Sequence, residues 1–243
     1  MSFREVGLLV VYAVYGGAWL VTGVSLWLYG ERTARLGVAA HLRLLSMFAF
    51  VHGLSDVVDI GLRLPGVEAT PTSALGAVRL TLLAASFILL LQFGLAISIR
   101  DQRIYRSIIT LGAFGLIGLA AGLLSLYAEG ASALEIGAVE RAIRLLVGLP
   151  GALLGGYGFY MLSRRCQALN MRECARDTLT AAICLATYGV LAGAITSGYP
   201  APTVILGLPI QFYRMLAAIG LAVACISLLK RLQVKPSEVA ESG

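Results

Sequence analysis

His52, Asp56, Asp59 and Arg63 stand four, three and four residues apart within the apolar stretch FVHGLSDVVDIGLR, residues 50–63. On a helix of 3.6 residues per turn this spacing places all four on one stripe. Asp59 and Arg63, at i and i+4, can pair directly. Further ionisable residues fall at a similar depth in other apolar stretches: Arg79, Glu140, Arg141, Arg144 and Arg214. An arginine or aspartate at the centre of a membrane helix costs roughly 2.5–3.5 kcal/mol on insertion scales. Such groups are therefore expected to face the interior of a helix bundle and to pair with one another. The set holds five arginines against Asp56, Asp59 and Glu140, an excess of two positive charges. A self-contained network needs no excess; an anionic or strongly hydrogen-bonding ligand would balance it. Arg144 and Arg214 are expected to hold that ligand, and His52 and Asp56 to orient it or respond to pH. Asp59, Arg79 and Arg141 complete the candidate ligand-binding set. Arg63, Arg79 and Arg141 also lie close enough to an interface to snorkel into headgroups, which makes membrane lipids the competing partner.

Other chemistries fit poorly. Bis-histidine haem needs two imidazoles facing each other across helices, but His41 and His52 share one helix and lie about 16 Å apart along it at 1.5 Å per residue. A haem would need methionine or another axial ligand; no cofactor is expected, with haem and a quinone-like molecule left open. A retinal Schiff base needs a mid-membrane lysine, and Lys230 and Lys235 sit at or past the end of the last apolar stretch. A metal at His52, Asp56 and Asp59 would rest on one helix stripe, which supplies two ligands at most, so no metal is expected. No Walker, GxSxG or HExxH motif occurs, and the expectation is a protein that is not an enzyme. Ser86, Gln92, Thr180, Thr187 and Tyr188 are read as structural, since such groups in membrane helices usually bond their own backbone or a neighbouring helix.

The elements that must position these residues follow from composition. Of 243 residues 58% are hydrophobic and 13% charged, with mean hydropathy +0.86, about half the charged share of a soluble domain. Seven apolar spans, about 5–29, 37–63, 75–99, 107–127, 138–162, 177–197 and 209–231, each approach the ~20 residues that cross ~30 Å of hydrocarbon. The expected fold is an all-α, polytopic seven-helix bundle over residues 1–232, followed by a short disordered cytoplasmic tail, 233–243. Met1 to Gly30 is read as a retained first helix, because its apolar segment exceeds the roughly 7–15 residues of a signal peptide.

Arginine and lysine cluster in alternate connections: Arg32 to Arg43, Arg100 to Arg106, Arg164 to Arg176, and Lys230 to Lys235. The intervening connections, LPGVEATPTS, AEGASALEIG and GYPAPTVILG, contain neither. The positive-inside rule then places the N-terminus outside and the C-terminus in the cytoplasm. With the cations outside the apolar stretches gathered mainly in short loops, the net charge of +6 does not point to nucleic acid. Cys166 and Cys174 fall in the third basic connection, Cys184 and Cys225 in apolar helices; without a CxxC they are read as reduced thiols. Gly151, Gly155, Gly156 and Gly158 suit close helix packing in lipid.

Three stretches, in order, carry a family resemblance. HGLSDVVDI (52–60) resembles the HGLxEW-type segment of an N-terminal membrane module found in bacterial sensor histidine kinases and diguanylate cyclases. RLLVGLPGALLGG (144–156) is similar to that module's arginine followed by an LLGxPGALLA run. GLPIQFYRML (207–216) looks like its GIPVQLxR segment. The resemblance covers nearly the whole chain and implies a signal-sensing bundle of the bacterial inner membrane. It implies roles for His52, Asp56, Arg144, Gln211 and Arg214, and for Pro150 and Pro209, which would allow helix distortion. The chain departs from the pattern at Val57, where the family has tryptophan, and no kinase or cyclase domain follows within these residues. The expectation is a non-enzymatic sensor or receptor-like subunit that binds a small anionic or quinone-like molecule and signals to a separate protein partner. The alternative is an accessory subunit of a larger respiratory or photosynthetic membrane complex.

Overall fold

The computed structural model describes residues 3–30, 39–64, 74–98, 132–195 and 204–233, with scattered positions between 107 and 130. Six helices among these are long and apolar enough to cross a bilayer: α1 (Phe3–Gly30), α2 (Ala39–Arg63), α3 (Ala74–Ser98), α4 (Ala133–Ala168), α5 (Arg172–Ala194) and α6 (Ile210–Gln233). The described chain is thus an all-α multi-pass bundle. The fourth expected span, 107–127, falls largely outside the described residues, as does the expected tail beyond Gln233.

Each described helix packs against the next, and α6 returns to α1, closing a ring. On α1 the buried residues Tyr12, Tyr15, Trp19, Thr22 and Leu26 alternate in steps of three and four, the seam spacing of helices that cross at roughly 20°. Val10, Val14, Val21 and Trp27 lie exposed on the other side, where acyl chains are as apolar as the side chains they meet. Glycines allow close approaches between helices. A Cβ on Gly151 of α4 would lie 2.7 Å from the Leu91 backbone nitrogen of α3, and one on Gly53 of α2 would lie 3.0 Å from the Gly16 carbonyl of α1.

Helix α4 is longer than the expected span 138–162, for local reasons at both ends. Ser132 and Glu135 form a capping box: Ser132 N–H donates to Glu135 Oε2 (2.8 Å) and Glu135 N–H to Ser132 Oγ (3.3 Å), starting the helix at Ala133. At the other end Asn170 adopts φ 58°. Met171 N–H bonds the Cys166 carbonyl and Asn170 N–H the Gln167 carbonyl, at 2.8 and 2.9 Å, the two bonds of a Schellman stop. The connection to α5 therefore shrinks to three residues. This corrects the expected basic loop: Arg164 and Arg165 lie in α4, and Arg172 and Arg176 in α5. Cys166 and Cys174 are not loop residues either; they are buried with Ala175 and Leu228. Nearby, Arg231 pairs with Glu173 and with Asp177 (2.8 Å), pinning α5 to α6.

Both α4 and α5 contain a π-helical turn, Arg144–Gly148 and Val190–Ala194, and the two turns pack against each other. Leu149 N–H donates to the Arg144 carbonyl, a five-residue step. Pro150 follows in the first turn of Leu149–Ala168; lacking an N–H, it cannot continue the α-helical ladder back to Leu146. Pro209 sits elsewhere than expected. It ends β2 (Leu208–Pro209), paired with β1 (Val204–Ile205) in a hairpin ahead of α6. Leu206 and Gly207 at its tip have φ 49° and 80°, the paired positive values of a tight two-residue turn.

Candidate functional site

Five charged side chains run in unbroken succession across α2, α3 and α4. Arg63 Nε donates to Asp59 Oδ2 at 3.2 Å, and Arg79 Nε reaches Asp59 Oδ1 at 2.8 Å. Arg79 then forks onto Glu140 through both terminal nitrogens, at 2.9 and 3.0 Å. Glu140 Oε1 also accepts from Arg144 Nε (2.9 Å) and Nη2 (2.8 Å). Bidentate pairs of this kind are the strong form of the arginine–carboxylate contact. The i,i+4 spacings within α2 and α4 supply two of the links, and packing of α3 against both neighbours supplies the others.

These residues line one cavity of about 320 Å³, together with Asp56, Arg141 and Arg214. All eight charged residues singled out by depth thus meet in a single hollow, and with every one ionised it carries the excess of two positive charges. Arg141 lies exposed at its rim with no ion pair to a described residue. Two acceptors inside lack donors. Asp56, 8% exposed, has its Oδ2 without a hydrogen-bond partner among the described residues; so has Gln211, 1% exposed, at Oε1. Gln211 does donate through Nε2 to Tyr12 Oη at 2.9 Å.

At the cavity floor His52 is enclosed and fully bonded. Ser86 Oγ donates to the Leu83 carbonyl (2.7 Å), so it accepts from His52 Nδ1 at 2.9 Å. That network assigns the proton to Nδ1 and leaves Nε2 to accept from Tyr188 Oη at 2.8 Å, with Tyr15 Oη 3.1 Å away. The Trp19, Phe48 and Phe87 rings surround the imidazole at centroid distances of 5.6, 5.3 and 5.4 Å. His52 therefore ties α1, α2, α3 and α5 together from the middle of the ring.

Arg214, which also lines the cavity, bonds backbone. Its Nε donates to the Leu191 carbonyl (2.9 Å) and Nη2 to the Ile195 carbonyl (2.8 Å). Those carbonyls end α5, where the helix leaves its last C=O groups unbonded and the dipole is negative. The guanidinium spans both and caps the π-helical turn. Arg144 reaches the Ala192 carbonyl of the same turn at 3.5 Å and stands 5.7 Å from the Phe87 ring centroid.

No protein-family model matches the chain, and comparison with curated proteins and with solved structures found no match. The site is accordingly read from its own geometry.

Of the candidate set, Asp56, Asp59, Arg79, Arg141, Arg144, Gln211, Arg214 and His52 all border the cavity. Asp59 is bonded to Arg63 and Arg79, Arg79 and Arg144 are bonded to Glu140, and Arg214 bonds backbone carbonyls. Pro150 follows the π-helical turn that carries Arg144, whereas Pro209 lies outside any helix. Sequence reading passed over Tyr12 and Tyr15, and took Ser86 and Tyr188 as structural, which their bonds to His52 fit. The spacing of Tyr12, Tyr15 and Trp19 along one face of α1 is the signal that marks the tyrosines as interior. Arg63 lies 4.6 Å over the Tyr12 ring, a cation–π contact that spacing alone does not foretell.

Proposed function

We propose that the bundle is a non-enzymatic, sensor-like membrane subunit whose cavity takes a small anionic molecule from the exterior side and passes the change to a separate partner. The observation that carries this reading is the convergence of five arginines and three carboxylates, drawn from four helices, on one cavity with a net positive excess. An unoccupied positive excess in a low-dielectric setting is costly, and an anion relieves it. A volume near 320 Å³ sits at the small end of ligand sites, roughly 300–1,000 Å³. A sensing role has a mechanical counterpart. Arg144 and Arg214 both hold the π-helical turn of α5, so a ligand that draws on Arg144 biases how α4, α5 and α6 pack. The resemblance to the membrane modules of sensor kinases and cyclases points the same way, and with it the proposal places the bundle in a bacterial inner membrane.

Native mass spectrometry of gently purified protein tests the reading. The expected result is a co-bound anionic small molecule, or a partner chain with it, lost in the pair of variants Arg141→Ala and Arg144→Gln. A phospholipid mass in its place would identify a headgroup as the anion. Stoichiometric membrane subunits with no small molecule would favour the accessory-subunit alternative. A bare chain, unchanged by both variants, would sink the proposal.

A further inference from the structure

The two walls of the cavity differ in what they lack. On the α4 side Arg141 brings a guanidinium with no carboxylate partner among the described residues, beside Arg144. On the α1 side the unmet groups are acceptors: Asp56 Oδ2 and Gln211 Oε1, each at least nine-tenths buried. Both residues line the cavity against α1. A Cβ on Gly16 would lie 3.0 Å from Asp56 Cβ, and Gln211 bonds Tyr12; Tyr12 and Gly16 are one helical turn, about 6 Å, apart on α1. In the ring α1 and α4 are opposite members.

An anion alone leaves this arrangement incomplete. It would neutralise the arginine side while adding a negative charge near the buried Asp56 oxygen, and a buried acceptor without a donor costs the full desolvation of that group. A bare cation at Asp56 fares no better, because five arginines surround the same hollow and no metal-ligating cluster occurs among the described residues. A molecule bearing both an anionic group and a cationic N–H donor satisfies both walls. Building on the anion-binding reading, we infer that the cavity selects small zwitterions of the amino-acid kind, with the carboxylate at Arg141 and Arg144 and the ammonium at Asp56 and Gln211. The ammonium supplies charge-assisted hydrogen bonds to both orphaned oxygens, and the cavity volume suits a molecule of that size.

Thermal unfolding of the purified full chain in detergent, against three probe sets, tests this. The sets are free α-amino acids, their des-amino carboxylate counterparts, and their N-trimethyl derivatives, which keep the positive charge but have no N–H. At least one amino acid should raise Tm at a concentration about tenfold lower than its des-amino and N-trimethyl counterparts, the difference expected for one charge-assisted hydrogen bond. Asp56→Asn, an isostere whose unliganded Tm should stay close to that of the native chain, should erase the preference while leaving weak carboxylate binding in place. Gln211→Leu provides a second variant that should weaken the same preference. Equal binding of des-amino acids, or a preference that survives Asp56→Asn, overturns the zwitterion inference but leaves the anion site standing. Binding by no probe set overturns the inference too, and the mass-spectrometric result then decides whether the anion reading falls with it.

Discussion

Glu140 and Asp56 are carboxylates of one cavity, yet their circumstances are opposite. Glu140 serves Arg79 and Arg144 at once, so Glu140→Gln takes the carboxylate from Arg144 and leaves Arg79 with Asp59 alone, and should destabilise the fold by about 3–5 kcal/mol. Arg63 sits at the open end of the same series with 20% of its side chain exposed, so Arg63→Gln should cost about 1 kcal/mol or less. Denaturant titration in mixed micelles separates the two; equal losses would mean that the charges do not act as a connected series. At His52 the tyrosines are partly redundant. Tyr188→Phe leaves Tyr15 Oη within reach of Nε2, and should cost about 0.6 kcal/mol, the usual worth of a hydrogen bond between membrane helices. Adding Tyr15→Phe removes the last donor, and the double variant should lose more than the sum of the single changes. Strict additivity in that cycle would refute the shared-acceptor assignment.

Among the elements, the α3–α4 contact has the least room to give. A side chain at Gly151 meets the Leu91 backbone, which cannot rotate away, so Gly151→Val should separate the helices and abolish a monodisperse product. Gly17→Ala, where a Cβ meets nothing within 4 Å, should be tolerated; chromatography of both variants checks the contrast. The hairpin ahead of α6 carries a local strain of the opposite sort. Leu206 is held at φ 49° with 91% exposure, a backbone region that disfavours branched side chains. Leu206→Asn gives the turn the Asn-Gly pair it prefers and should raise stability by up to about 1 kcal/mol, read from the unfolding midpoint. These elements differ in how far their residues announce them. Ser132 and Glu135 state the start of α4 at a spacing of three, and Asn170 its end. The π-helical turns do not announce themselves, since Val190–Ala194 contains no proline and takes its shape from carbonyl contacts to Arg144 and Arg214 on other helices.

At the scale of the whole molecule, the proposed orientation and the site make one joint prediction. The cavity opens at the end of the bundle that carries Ser132, and the turn at Leu169 lies at the other end. In a Cys184→Ala background, Ser132→Cys should react with a membrane-impermeant maleimide on intact cells, whereas Leu169→Cys should react only after permeabilisation. The reverse pattern would put the cavity on the cytoplasmic side and remove the exterior ligand. Much of the bundle is legible in the residues alone, because a bilayer permits few backbone solutions: apolar length dictates the spans, and the high cost of intramembrane charge dictates that Asp56, Asp59, Glu140 and the arginines face inward. Depth along a helix is linear in sequence, so groups of similar depth could be gathered without coordinates. Partnership is not linear. Asp59 and Glu140 both converge on Arg79, Arg214 bonds the carbonyls that end α5, and Asp56 and Gln211 each keep an oxygen without a donor among the described residues, only because closing the ring brings distant helices together. Sequence by itself therefore determined which charges would share the interior, and tertiary packing alone decided which are already satisfied and which remain open to a ligand.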